Sequence, residues 1–412
     1  MNCKYFFVRL WIFVLTSMSL FSCTSYESEE LISEQRLTRG ENELMWKSYS
    51  PSQAISLADK ALGRVSNKLN IRKIQPVMLN QKNLLPSLIS DTIAYIVNYG
   101  DNDGFVVIAN DNRISEPLAY SDKGNITNDK NSPLKYLFFN KIEKYLADYK
   151  APMSSSSANV TVRHYIIDPQ IEIGLGPWYP FNQLISKYHP NAVASLGCVA
   201  GAGIISALRE DFYYHNYHYN FKSINFAYNN NLEFIPHDPG EINSNIDLHY
   251  EFLYSYQGSI GAYNQLLYNL GEDANVDYGT EGDGKIHIEY TPPFTLKTLL
   301  QSLEFDTTDY ITNQRLAPII DYLNRGYILA MFGKGYMYDS NGDEISNIFT
   351  KGFYTWAVDG CDIIIDANGE IKDGMIHCVW GIFGEGDGFF SAPVIVGEAP
   401  NKLYGIGYFG VK

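Results

Sequence analysis

The sequence predicts an α+β protein made of two folded blocks joined by a short flexible segment. The chain has 412 residues, enough for two or three domains with sizeable cores. In the longer second block, helical patterns come first and β-like runs follow, an order typical of an α+β domain with two lobes. Four consecutive serines, residues 154–157, indicate a protease-accessible linker over residues 151–161.

Composition excludes several classes of protein. With 45% hydrophobic residues, the composition indicates a globular chain. A formal net charge of −15 argues against a nucleic-acid partner, because we expect no basic surface that could bind phosphates. Five cysteines are too few for a disulfide scaffold. The sequence has no Cys-x-x-Cys motif or Cys/His cluster, so we expect no metal site and no cofactor.

The first 22 residues have the features of a bacterial export signal. Lys4 and Arg9 supply positive charge, and the apolar stretch that follows is too short for a membrane span. It ends in Leu-Phe-Ser-Cys at Cys23, a pattern typical of lipoprotein signals. We therefore predict cleavage before Cys23, lipidation of its thiol and amine, and a tether over 23–44 that anchors the protein at the bacterial cell envelope. The alternative is an ordinary signal peptide with a chance cysteine.

Residues 45–150 form the N-terminal block. Apolar residues at helical spacing and two β-rich runs around a tight Gly- and Asp-rich turn predict two helices and a hairpin. The helices are expected over 52–69 and 133–149, and the strands over 93–99 and 105–109.

Residues 162–412 form the second block. A helix over 198–210 has small residues on one side, which would let another segment approach closely. A second helix is expected over 317–324. Four β-like runs follow, over 327–332, 353–358, 362–365 and 375–380.

Cys198 is the sharpest chemical feature. It stands in Gly197-Cys198-Val199-Ala200 at a predicted helix start, where the helix dipole is expected to lower the thiol pKa and favour the nucleophilic thiolate. The alternative is a small buried cysteine. Cys361 and Cys378 lie in β-like runs and are expected to be buried.

Four segments of the second block resemble the streptopain family of papain-fold cysteine peptidases. Gly197-Cys198-Val199-Ala200 is similar to that family's G-C-V-A-T-A nucleophile helix, and Trp178 with the following Pro-Phe-Asn is similar to W-x-Q…P-Y-N. The run 352–360 resembles G-G-H-A-W-V-x-D-G, and 377–384 resembles H-V-N-W-G-W-G-G. The resemblance implies a papain-like, two-lobed cysteine peptidase domain with Cys198 in the cleft and the Tyr354 strand facing it.

The N-terminal block is similar to the family's inhibitory propeptide, which also occurs as a separate Spi-type protease inhibitor. The segments that carry this likeness are 95–98, 104–108 and 117–121. The resemblance implies a small α+β propeptide-like domain that acts on the second block within the same chain, and a protein or peptide substrate or ligand.

The catalytic set implied by the family is incomplete. Tyr354 stands at the position of the general-base histidine, and a phenol with a reference pKa of about 10 cannot take the thiol proton at neutral pH. Val379 replaces the family's asparagine, and Pro180 stands where a glutamine would support the oxyanion. Loss of the base is expected to leave weak or no proteolysis. His189 and His377 are the candidates for a replacement base.

The resemblance assigns the remaining site residues to substrate binding, namely Trp178, Gly197, Trp356 and Trp380. Three functions stay open. The protein is a lipid-anchored zymogen released by cleavage of the linker, a catalytically dead surface protein that binds peptides or proteases, or a tethered protease inhibitor acting through residues 45–150.

Overall fold

The computed structural model of the protein describes thirteen main stretches of the chain and residues 132 and 278. The stretches are 47–63, 72–79, 91–114, 116–129, 134–149, 162–171, 174–177, 181–189, 192–208, 257–276, 291–312, 315–333 and 354–396, and shorter pieces are 218–220, 225–227 and 407–412. The predicted signal, tether and linker lie outside these residues. Within them, no helix combines the length and apolar character needed to cross a bilayer.

The described residues of the N-terminal block form a helix, four strands and a second helix entered through a π-helical turn. In order they are α1 (Pro51–Ala61), β1 (Arg72–Met78), β2 (Thr92–Tyr99), β3 (Phe105–Ala109), β4 (Ala119–Ser121), the π-helical turn Lys135–Phe139 and α2 (Asn140–Asp148). The predicted hairpin is confirmed, because β2 pairs antiparallel with β3.

Helix α1 begins and ends at local signals. The Ser50 hydroxyl accepts the Gln53 amide, and the Gln53 side chain accepts the Ser50 amide, which is a capping box with Pro51 in the first turn. The helix ends at Ala61, and Gly63 follows with a φ of 59°. The predicted helix does not extend through Leu62 and Gly63, where the structure has a turn, and residues 64–69 of the prediction lie outside the described residues.

The second block begins with a strand and continues with helices before most of its strands. Its elements are β5 (Val162–Ile167), α3 (Gln183–Tyr188), α4 (Leu196–Leu208), β6 (His218–Asn220), β7 (Asn225–Ala227), α5 (Gln257–Asp273), α6 (Pro293–Ser302), α7 (Leu316–Asn324), β8 (Ile328–Gly333), β9 (Tyr354–Asp366), β10 (Ile371–Val379), β11 (Gly388–Ser391), α8 (Ala392–Val396) and β12 (Gly407–Val411). The α+β class predicted from the sequence is confirmed.

The strands of the two blocks form one sheet of ten strands among the described residues. Its order is β1-β2-β3-β4-β11-β10-β9-β8-β12, with β5 paired to β9. The blocks meet where β4 pairs antiparallel with β11, with Tyr120 opposite Phe389 and Ala119 opposite Phe390. We call this β4–β11 pair, with the turn 380–387 beside it, the seam.

Strand β9 is longer than the sequence predicted. The runs 353–358 and 362–365 were expected as separate strands, and the structure joins them in one strand of 13 residues. The first half pairs with β8 and the second half with β5. Pairing on both halves explains why Asp359 and Gly360 do not break the strand.

Two hydrophobic cores lie on the two sides of β8 and β9. The shared core contains residues of both blocks, among them Phe138, Tyr354, Trp356 and Phe390. The helix-side core contains α4, α5 and α6 with inward residues of the sheet such as Ala357. A third, smaller cluster holds α1 against β2 and β3.

Candidate active site around Cys198

Cys198 lies in the first turn of α4, as the sequence predicted, but its thiol is completely buried. Eleven of the thirteen residues of α4 are buried, so the helix is enclosed between the sheet, α5 and α6. Its small residues permit close approach, since a Cβ added at Gly201 would lie 2.8 Å from the Leu296 side chain of α6.

Thr291 covers the thiol. Its Oγ1 lies 3.2 Å from Cys198 Sγ and 2.6 Å from Ser195 Oγ, and its backbone N–H donates to Ser195 Oγ at 2.8 Å. Gly197 makes this approach possible, because a Cβ there would lie 2.7 Å from Thr291 Cβ. No sequence pattern indicates Thr291 or Ser195, which lie 96 residues apart.

Burial raises the pKa of the Cys198 thiol to about 11, although hydrogen bonds from Thr291 and Ser195 act in the opposite direction. The prediction of a thiol pKa lowered by the helix dipole was therefore wrong. Desolvation penalises the charged thiolate more than the two hydroxyl groups stabilise it.

Tyr354 packs apart from the thiol. Its strand contacts α4, but its side chain belongs to the shared core, whereas Ala357 of the same strand belongs to the helix-side core with Cys198. The Tyr354 hydroxyl donates to the Trp380 carbonyl oxygen. Leu196, the first residue of α4, reaches the shared core, so the start of the helix lies between the two cores.

The predicted substrate-binding residues are buried or outside the described part of the chain. Trp356 and Trp380 stack at 5.2 Å in the shared core, and Gly197 is covered by Thr291. Trp178 and Cys23 lie outside the described residues. A substrate-binding role for the two buried tryptophans stays a prediction, and their burial argues against it.

His189 pairs with a carboxylate instead of the thiol. Its Nε2 lies 3.1 Å from Glu272 Oε1, and its ring stacks on Tyr278 at 4.5 Å. Burial, and secondarily the charge of Cys198, raises the pKa of Tyr278. His189 therefore has an orienting carboxylate, but the hydrogen-bond partners of the Cys198 thiol are the Thr291 and Ser195 hydroxyl groups.

His377 pairs with a second carboxylate. Its Nδ1 lies 2.6 Å from Asp359 Oδ1, and Asp359 Oδ2 accepts the amides of Gln170 and Ile171 at 2.8 and 2.7 Å. The described residues contain no group of three or more His, Cys, Asp or Glu side chains that could hold a metal ion.

Comparison with known proteins identifies the N-terminal block. The family model of the Spi protease inhibitor matches residues 47–146. Among solved structures, a fragment of prointerpain A from Prevotella intermedia matches with a TM-score of 0.46 and 15% identity, over 83% of this chain and 98% of that one. No curated protein matches the chain. The predicted likeness of the N-terminal block to the Spi inhibitor is thus confirmed over residues 47–146.

Proposed function

We propose that the protein is a streptopain-like homologue that does not cleave peptides through Cys198 and acts by binding a peptide or protein at the bacterial cell envelope. The burial of the Cys198 thiol under Thr291 carries this proposal. A thiol with a pKa of about 11 is about one thousandth ionised near pH 8, against about a quarter for an ordinary thiol. A cysteine nucleophile needs the opposite shift.

The positions around the thiol support the same conclusion. Tyr354, which stands where the family has its base, donates its proton to a backbone carbonyl in a separate core. The two histidines considered as replacements each contact a carboxylate, and neither is a hydrogen-bond partner of the Cys198 thiol among the described residues. No described base lies within hydrogen-bonding distance of Cys198, whose partners are hydroxyl groups.

The test is the pH dependence of iodoacetamide labelling at Cys198 in the whole protein, before and after proteolytic cleavage within residues 151–161. We expect a slow labelling rate that rises only as the pH approaches about 11, with no change after cleavage. A matched Cys198→Ala protein identifies the labelled site.

Fast labelling near neutral pH after cleavage would contradict the proposal and support the zymogen hypothesis. Peptide hydrolysis that disappears in Cys198→Ala would contradict it as well. In either case His189 is the first replacement base to test, by His189→Gln.

The envelope location rests on the signal around Cys23. It is tested by feeding labelled fatty acid to cells that express the wild-type protein or Cys23→Ser. We expect incorporation into the wild-type protein only, and equal absence of label from both proteins would contradict the anchor.

A tethered protease inhibitor is the second candidate, favoured by the family match of residues 47–146. In the present fold β4 of this block is paired with β11 of the same chain, so action on another protease through this strand would require the seam to open. The test is inhibition of a streptopain-type peptidase by the intact protein. Absence of inhibition at a large molar excess would exclude this candidate.

A further inference from the structure

The N-terminal block contacts the second block through backbone atoms and through side chains. In the backbone, β4 and β11 pair at two positions, and the Ser391 and Gly386 amides donate to the carbonyls of Leu118 and Asn125 at 2.8 Å. Backbone hydrogen bonds of this kind stabilise a strand pair whatever its sequence. Discrimination between one partner and another must therefore come from side chains and from the space available at the seam.

Tyr120 of β4 reaches across the seam to a carboxylate. Its hydroxyl donates to Asp362 Oδ2 of β9 at 2.7 Å, although β9 lies two strands beyond β11 in the sheet. Its ring stacks on Phe389 of β11 at 5.1 Å. The Asp362 side chain is 18% exposed, and its other oxygen lies 3.5 Å from His164 Nδ1. A phenol that donates to a largely buried carboxylate makes a directional, charge-assisted contact.

Gly388 of β11 leaves room for the backbone of β4. A Cβ at Gly388 would lie 2.6 Å from the Tyr120 carbonyl oxygen and 2.8 Å from Ser121 Cβ. Because the carbonyl belongs to the backbone, it cannot move aside without shifting β4 against β11. A second block with a larger residue at this position would therefore clash with β4.

A buried lysine supplies a third contact between the blocks. Lys141 of α2 is buried, and its Nζ donates to the Ile395 carbonyl oxygen of α8 at 2.8 Å. A buried polar group that loses an acceptor costs more free energy than the hydrogen bond contributes when it is made. The lysine therefore disfavours a second block that does not present this carbonyl.

We propose that the seam is a recognition surface through which the N-terminal block binds a second block that carries Asp362 and Gly388, either its own or that of a second copy of this chain. Related domains that lack these two residues are rejected. The proposal holds whether or not the N-terminal block inhibits a peptidase, and it does not involve Cys198. On the side of the N-terminal block, it assigns the choice of partner to Tyr120 and Lys141.

The pair of Tyr120 and Asp362 gives the sharpest test, because each side chain comes from a different block. Tyr120→Phe removes the hydroxyl and keeps the ring on Phe389, and Asp362→Ala removes the acceptor. If the two groups recognise each other, their effects are not independent, and a double-mutant cycle measures the coupling. For a hydrogen bond to a charged group we expect a coupling of about tenfold in the binding constant.

The experiment uses the whole protein with a specific protease site inserted within residues 151–161 and then cleaved. Cleaved wild type and isotope-labelled, cleaved Tyr120→Phe/Asp362→Ala are mixed in urea and returned to buffer, and native mass spectrometry counts the matched and crossed pairs of blocks. We expect the product of the two matched pairs to exceed the product of the two crossed pairs at least about tenfold. Equal products would overturn the proposal.

Tyr95→Phe is the matched control, because the Tyr95 hydroxyl donates to the Tyr49 carbonyl oxygen inside the N-terminal block. Cleaved Tyr95→Phe/Asp362→Ala, mixed with wild type in the same way, should give equal products. Matched pairs that predominate here as strongly as with Tyr120→Phe would contradict a specific role of Tyr120.

Urea denaturation of the uncut proteins is a second measurement, and it does not require fragments to reassemble. We expect Tyr120→Phe to raise the unfolding equilibrium constant by a factor that is at least about tenfold smaller when Asp362→Ala is already present. Equal factors in the two backgrounds would overturn the proposal.

Gly388→Ala tests the contribution of shape. Labelled and unlabelled cleaved protein of this variant, mixed without denaturant, should exchange blocks at least about tenfold faster than the wild type. Gly203→Ala, where the added Cβ makes an ordinary contact at 3.7 Å, is the control and should exchange at the wild-type rate. Wild-type exchange by Gly388→Ala would overturn the assignment of Gly388 to recognition.

Discussion

Thr291 occupies the space beside Gly197, so this position has no room for a side chain. A Cβ at this position would lie 2.7 Å from Thr291 Cβ and 3.0 Å from the Thr291 carbonyl oxygen. We expect Gly197→Ala to lower the free energy of unfolding by about 1–3 kcal/mol through overpacking, and to disturb the hydroxyl cluster beside Cys198. Urea denaturation of the two proteins measures the change.

Gly203 of the same helix is the matched control. A Cβ there would meet Ile171 at 3.7 Å, an ordinary contact, so Gly203→Ala should be neutral or stabilise α4 by up to about 1 kcal/mol. Equal destabilisation by both substitutions would mean that the close approach of Thr291 does not set the requirement for glycine.

At the residue scale, the sequence predicted the position of the thiol at a helix start but not the direction of its pKa shift. Cys198 lies at a helix start as expected, and a helix start alone favours a lowered thiol pKa. The raised pKa follows from burial, which outweighs the hydrogen bond from Thr291, a residue brought to the thiol by tertiary packing across 93 residues of chain. Local sequence contains no sign of such a contact.

Strand β11 is the element that joins the two blocks, and its neighbouring phenylalanines point to different environments. Phe390 is fully buried in the shared core, with its ring 4.9 Å from Phe138 of the N-terminal block. Phe389 is half-buried on the other face beside Tyr120. Substitutions at the two positions therefore separate the contribution of core packing to the stability of the fold from that of the stacked Phe389 and Tyr120 rings at the seam.

We expect Phe390→Ala to lower the free energy of unfolding by about 3–5 kcal/mol, the range typical of a phenylalanine removed from a packed core. Phe389→Ala should cost about 2 kcal/mol or less, because less apolar area is buried. Chemical denaturation measures both changes. A larger loss of unfolding free energy for Phe389→Ala than for Phe390→Ala would show that the stacked Phe389 and Tyr120 rings contribute more to stability than the core contact does.

At the element scale, the sequence was reliable where a local pattern decides the structure. The hairpin of β2 and β3 has a turn that contains Gly100 and Gly104, both with positive φ, and its strands are where the β-rich runs and turn residues place them. The short strand β4 has no such pattern, because its three residues form a strand through their pairing with β3 on one side and with β11 on the other. Likewise, β5, which pairs with the second half of β9, is distant from it in sequence, so the continuity of β9 was not predictable from its own residues.

At the scale of the whole molecule, the two blocks should unfold as one unit. They share one sheet and one core, so neither can lose its structure without exposing apolar surface of the other. We expect a single calorimetric transition of the intact protein, with equal calorimetric and van't Hoff enthalpies. Two separated transitions would contradict this expectation.

The same reasoning predicts the result of cutting the linker. With a specific protease site inserted within residues 151–161 and then cleaved, the two fragments should elute together in gel filtration without denaturant, because the seam and shared core stay in place. The uncut protein and the cut protein in urea are the controls. Separation of the fragments without denaturant would show that the seam alone cannot hold the blocks and would support release by cleavage.

The sequence predicted two blocks of the right class, and residues 47–146 match the inhibitor family that their motifs indicated. It did not predict that the strands of the two blocks form one continuous sheet. The motifs describe each segment separately, whereas the pairing of Ala119 with Phe390 is a property of the folded chain.

The long separation of β4 and β11 in the sequence also affects how the protein is made. Ala119 and its partner Phe390 are 271 residues apart, so β4 has no partner on this side until synthesis has passed β11. During that time the N-terminal block presents an unpaired edge, the feature through which nascent chains pair wrongly with other strands. Closing the sheet is thus a late, long-range folding step, and nascent chains that end before β11 are the forms of this protein most exposed to misassembly.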